Sequence, residues 1–156
     1  MATTVPRDLI LDAIAAALGG IGNQALPDPT IYFASVQPQV VRQKHALFVP
    51  SQFPCFVIGG VIEAYTLTSN TGIYSKALTV AMTYCAESQT MDEDASKIIH
   101  DVELALSAHR LGGVCDDLQF VSTTVQASTN EEPLFFVDFV IIAKYRTTLA
   151  APATRV

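Results

Sequence analysis

The chain has 156 residues, of which half are hydrophobic and 15% charged, with a net charge of −6. That composition supports a sizeable core and excludes a disordered chain, and the acidic balance argues against wholesale nucleic-acid binding. No apolar run approaches the roughly 18 residues that a membrane-spanning helix needs, and the small charged fraction leaves little polar covering, which favours subunit contacts.

The length fits one domain, residues 1–156, with a flexible C-terminal tail from about 147. The N-terminal stretch carries Asp8 and Asp12 inside its apolar run and only Arg7 as a base, so it reads as a folded helix rather than a signal peptide. Leu9, Ile10, Ala13, Ile14, Ala17 and Leu18 fall at helical spacing. Pro6 suits the first turn, and Gly19-Gly20 is expected to end the helix through a left-handed turn. A turn at residues 25–29 leads to an expected strand over Thr30 to Val36. Gln37 to Pro54 reads as irregular, with an extended portion around HALFVP.

Phe56 to Thr68 reads as a strand or bent strand pair, with a bulge or tight bend at Gly59-Gly60. SNTG marks a turn. Ser75 to Cys85 alternates, with Leu78, Val80, Met82 and Tyr84 on one face and Ala77, Thr79, Ala81 and Thr83 on the other. Thr90 and Glu93 fit a capping box that opens a second helix, whose apolar stripe is Ala95, Ile98, Ile99, Val102, Ala105 and Leu106. His109 and Arg110 occupy its last turn, and Gly112-Gly113 stops it. Leu118 to Ala127 and Leu134 to Arg146 read as an antiparallel strand pair joined through STNEEP. The expected fold is α+β: a mostly antiparallel sheet of about four to five strands with two helices packed on one face.

No phosphate loop, dinucleotide fingerprint, nucleophile elbow or HExxH motif is present. GGIGNQ has the glycine density of a phosphate loop, but it follows a helix, where the dipole opposes phosphate. Cys55, Cys85 and Cys115 are widely spaced and read as buried, reduced thiols. His100 reads as a helix-surface histidine, and its neighbour Asp101 points elsewhere. No catalytic residue, cofactor or metal is expected. Lys144 and Arg146 share one strand face with Tyr145 on the other, and Arg42 and Lys44 repeat the spacing. With Lys76 they are the candidate contacts to a neighbouring subunit or partner, against the simpler reading of surface solubility.

RDLILDAIAAALGGI, ALTVAMTYCA, DEDASKIIHDVELAL and VIIAKYRTTLAAP, in that order, span nearly the whole chain. Their layout resembles the tail terminator (tail completion) proteins of tailed bacteriophages. That resemblance implies a non-enzymatic virion protein, assembled in the host cytoplasm. It would form a ring, usually a hexamer, at the head-proximal end of the tail tube. The implied partners are further copies of the chain, the tail tube protein and a head-side connector or stopper, with the tail sheath as a further neighbour. No membrane or sequence-specific nucleic acid is implied, although DNA passes through such rings. Two alternatives remain: another neck component (adaptor, stopper or head completion protein), and a small oligomeric α+β enzyme with an intersubunit pocket drawing on Cys85, Cys115, His100 or Asp117.

Overall fold

A computed structural model describes residues 6–22, 32–42, 53–68, 72–107, 110–127 and 133–148. The elements in chain order are helix α1 (Pro6–Gly19), strands β1 (Gln39–Arg42), β2 (Cys55–Thr68) and β3 (Ile73–Glu87), helix α2 (Met91–Ser107), a short 3-10 turn (Arg110–Gly113), and strands β4 (Asp117–Ala127) and β5 (Leu134–Thr148). They form an α+β fold around one five-stranded sheet of order β1-β2-β3-β5-β4. Every pairing is antiparallel except β1 with β2. β5 inserts between β3 and β4, which therefore run parallel to one another with α2 as the crossover.

The core lies between the helices and one face of the sheet. Ile10, Leu11, Ile14 and Leu18 of α1 meet Ala95, Ile98, Val102 and Leu106 of α2, above inward residues of β2, β3 and β5. The α1 stripe is rotated from the expected one: Leu11 is buried, whereas Leu9 remains 43% exposed. The β3 faces separate as its alternation predicts, with Leu78, Val80 and Met82 inward. The bulge expected at Gly59-Gly60 is present, as a register shift between Gly59 and Val61, and β2 continues through it as one strand.

Three local expectations change. Residues 32–36, the described part of the strand expected over Thr30 to Val36, are irregular, because the Asp101 carboxylate accepts the backbone N–H of Phe33 and of Ala34, each at 2.9 Å. Those amides are then not available to a strand ladder. Gln39–Arg42, in the stretch expected to be irregular, instead form β1. The left-handed residue after α1 is Gly22 (φ 75°), not Gly19 or Gly20; a Cβ there would meet the Val36 carbonyl oxygen at 2.9 Å, so only glycine lets the two segments approach. At the start of α2 the carboxylate that reaches back is Asp94. It accepts the Ser88 hydroxyl and, at 3.4 Å, the Thr90 hydroxyl, while Glu93 pairs with Lys97 at 2.6 Å.

The second helix ends earlier than expected: α2 stops at Ser107, and Arg110, expected in its last turn, opens the separate 3-10 turn Arg110–Gly113, in which Leu111, Gly112 and Gly113 are left-handed. β5 runs two residues past Arg146, and Thr147 is fully buried, so any tail begins later than 147. The turns at 25–29 and in STNEEP through Glu132, most of SNTG, the HALFVP segment, Lys44, His109 and the tail from 149 lie outside the described residues. No described helix is long and apolar enough to cross a membrane.

A candidate partner-binding site at the end of the last strand

Alternation along β5 puts Lys144 and Arg146 on the open face of the sheet and Tyr145 on the helix side. The register then sets their neighbours. Lys144 lies beside Ala77, which lies beside Ala64; Arg146 lies beside Ser75, which lies beside Thr66. These short side chains leave room, and a cavity of about 300 Å³ opens over them. Asp116 forms one wall. Its carboxylate accepts Arg146 Nε at 3.1 Å, and its backbone N–H donates to the Lys144 carbonyl at 2.7 Å. Lys144 is exposed and has no carboxylate partner among the described residues.

The helix side of the same three strands carries a second polar group. Tyr65, Lys76 and Tyr145 are register neighbours. The Lys76 ammonium stands 5.1 Å from the centre of the Tyr65 ring and 5.7 Å from that of Tyr145, within cation–π range. Glu63 accepts the hydroxyls of both tyrosines, from Tyr65 at 2.8 Å. That bond, reinforced by the carboxylate charge, raises the pKa of the exposed Tyr65. Tyr145 itself is only 2% exposed. It locks the end of β5 in place, and Lys144 and Arg146 project from a fixed strand.

The structure divides the candidate residues. Lys76, Lys144, Tyr145 and Arg146 share one end of the sheet, on both of its faces. Arg42 is elsewhere: it leaves β1 to meet Asp12 at 2.5 Å and Asp8 at 3.6 Å, and so ties the sheet edge to α1. Arg146, expected to reach a neighbour, is held by its own chain's Asp116 and remains half exposed. Chemically, the site offers a free ammonium, a guanidinium with one carboxylate already on it, and an apolar floor. That combination suits a carboxylate carried on a partner's apolar surface.

Three acidic residues essential to this layout were missed in the sequence. Glu63 shares a strand face with Val61 and Tyr65, and its place in an apolar run was the available signal. Asp101 lies three residues after Ile98 and four before Ala105, on the buried stripe of α2, and is fully buried. Asp116 is marked in the sequence only as half of the Asp116-Asp117 pair, which reads as a turn and strand-start cap; its role against Arg146 depends on β5 arriving from 30 residues away.

The residues of the enzyme alternative are dispersed. His100 is exposed on α2, with its ring edge-on to Phe33 at 5.2 Å. Cys85 opposes Cys55 across β2 and β3, and both are buried and free. Burial pushes their thiols up, to about 12 and about 11 respectively. Cys115 is a third buried cysteine outside any disulfide. Asp117 is at Lys144 in the register and Cys85 at Phe136, so eight residues of β5, roughly 26 Å, separate them. Among the described residues no group of three His, Cys, Asp or Glu side chains is placed to hold a metal ion. A smaller cavity of about 230 Å³ lies between Phe33, Tyr84, Lys97 and Phe135, with Asp101 at its wall. Tyr84 packs there between Phe56 and Phe135, and burial raises its hydroxyl pKa well above the usual value. No protein-family model matches the chain, and no curated protein matches it in sequence.

Proposed function

We propose that the chain is a structural virion protein of the tail terminator type. It forms a ring on the head-proximal end of a phage tail tube, ends tube polymerisation and offers a surface to a head-side connector or stopper. The observation that carries this reading is the one-sided construction of the sheet. Both helices cover one face, and the other face presents Ala77, Thr79, Ala81 and Thr83 and ends in the Lys144–Arg146 cavity. Short uncharged side chains let another subunit approach closely, and a rigid basic rim favours one orientation of it. The resemblance of the four quoted segments, in order, to tail terminator proteins supplies the class of assembly.

The test is to mix the purified chain with polymerising tail tube protein and image the products by electron microscopy. Rings capping one end of each tube, and tubes that stop lengthening, are the expected result. Tubes that grow unchanged with bare ends would sink the reading. Lys144→Glu is the charge reversal to use within that assay. Arg146→Glu would also set a carboxylate against Asp116 inside the same chain, so its effect would not report the partner alone.

A further inference from the structure

Strand β4 closes one side of the described sheet and has a free edge. Val121 to Ala127 are all exposed, with Val121 and Val125 keeping 56% and 44% of their surface. From Leu118 to Ala127 there is no charged residue, proline or glycine. Such an edge offers its backbone amides and carbonyls to any extended chain, and folded proteins usually blunt it with charge, proline or a bulge. β4 has one bulge, at Val121, and from Ser122 onward its register with β5 is regular.

The other side of the sheet carries a matching feature. β1 covers only Cys55 to Ile58 of β2, so Gly59 to Thr68 have no second neighbour among the described residues. Ile62, Tyr65 and Leu67 on that arm are 70%, 61% and 53% exposed. Its one charge, Glu63, is already occupied by two tyrosine hydroxyls.

We infer that the β4 edge of one copy pairs with the β2 edge, Gly59 to Thr68, of a second copy, so that the sheet continues from subunit to subunit. Electrostatics selects the occupant. Two copies at −6 repel, and the acids concentrate on the helices, with Asp92, Glu93 and Asp94 on α2 and Asp8 and Asp12 on α1. The two edges are where like copies meet without opposing free charges. Their lengths also agree, 11 residues of β4 against a ten-residue arm. Because the edges differ, the contact is heterologous, the type that closes into a ring or runs on as a filament. The inference rests on the ring reading and specifies the contact that makes the ring.

Thr124→Lys places a charge at the middle of the free edge. The expected result is loss of the oligomer in size-exclusion chromatography with light scattering, with the far-UV circular dichroism spectrum unchanged and melting still cooperative, at a temperature lowered by the lost association. A second experiment combines Thr124→Cys with Ala64→Cys in one chain and joins thiols with a flexible bismaleimide; the native thiols are buried and stay out of the reaction. A ladder of covalent species beyond the dimer supports the unlike-edge contact. A wild-type monomer, an oligomer indifferent to Thr124→Lys, or efficient dimer linkage by Thr124→Cys alone overturns it. If Thr124→Lys dissolves an oligomer that never caps tail tubes, the edge contact stands and the terminator reading falls.

Discussion

β4 and β5 lie side by side in one antiparallel ladder and use similar residues, yet their environments are opposite. On β5 the inward row Phe135, Val137, Phe139, Ile141 and Ala143 is at most 1% exposed. On β4 the seven residues from Val121 to Ala127 are all exposed. The register makes the contrast sharp at one point, where Val125 of β4, 44% exposed, faces Val137 of β5, fully buried. Strand propensity is the same for both valines, so the difference comes from neighbours. β5 has a strand on each side and the helices above it; among the described residues β4 has a strand on one side only. The interior strand provides stability, and the edge strand leaves backbone and side chains available to a partner.

The comparison breaks most violently at Phe139. Its side chain is 1% exposed at the centre of the core, and Phe139→Ala should cost about 3–5 kcal/mol in urea or guanidinium unfolding. A cost below about 1 kcal/mol would mean that the β5 face is not closed by the helices. Next in size is an alkaline effect at the covered end of β2 and β3. The unfolded chain ionises thiols from the ordinary value of 9.0, while the folded chain keeps Cys55 neutral to about 11 and Cys85 to about 12. Between those values the unfolded state gives up protons that the folded state retains. Stability is therefore full below pH 9.0 and falls as the pH rises. At about pH 10 the raised thiols together cost on the order of 2 kcal/mol. Double Cys→Ser replacement should flatten that slope in pH-dependent melting; an unchanged slope would place the alkaline transition elsewhere.

Periodicity revealed the elements and concealed the tertiary choices among them. The β3 alternation and the α2 stripe could be read because each is fixed by residues within one or two turns of chain. Residues 32–36 looked like part of a strand from Tyr32 and Phe33. What decides their path is a carboxylate 67 and 68 residues further on, and no local pattern carries that information. The candidate site divides in the same way. The side-by-side facing of Lys144 and Arg146 follows from strand spacing alone. Their floor at Ala64, Thr66, Ser75 and Ala77, and the wall at Asp116, required the order β2-β3-β5-β4, which the sequence leaves open. The α1 stripe shows a subtler limit: Leu9 and Leu11 are equivalent in composition, and packing against α2 chose Leu11.

The finest test applies one substitution to both members of a register pair. Val137→Thr puts a hydroxyl into a site with no exposed surface. Unless the hydroxyl finds a backbone acceptor it is buried unpaired, so about 1–3 kcal/mol of stability should be lost. Val125→Thr makes the same chemical change on the facing residue, where the hydroxyl reaches water. Valine and threonine share β-branching and strand preference, so the effect there should stay within about 0.5 kcal/mol. Parallel unfolding curves for the two variants measure the difference directly. Equal losses would show that β4 is covered in the isolated chain, which would remove the free edge on which subunit pairing depends. A silent Val125→Thr beside a costly Val137→Thr leaves that edge open in the folded subunit, ready for a second strand.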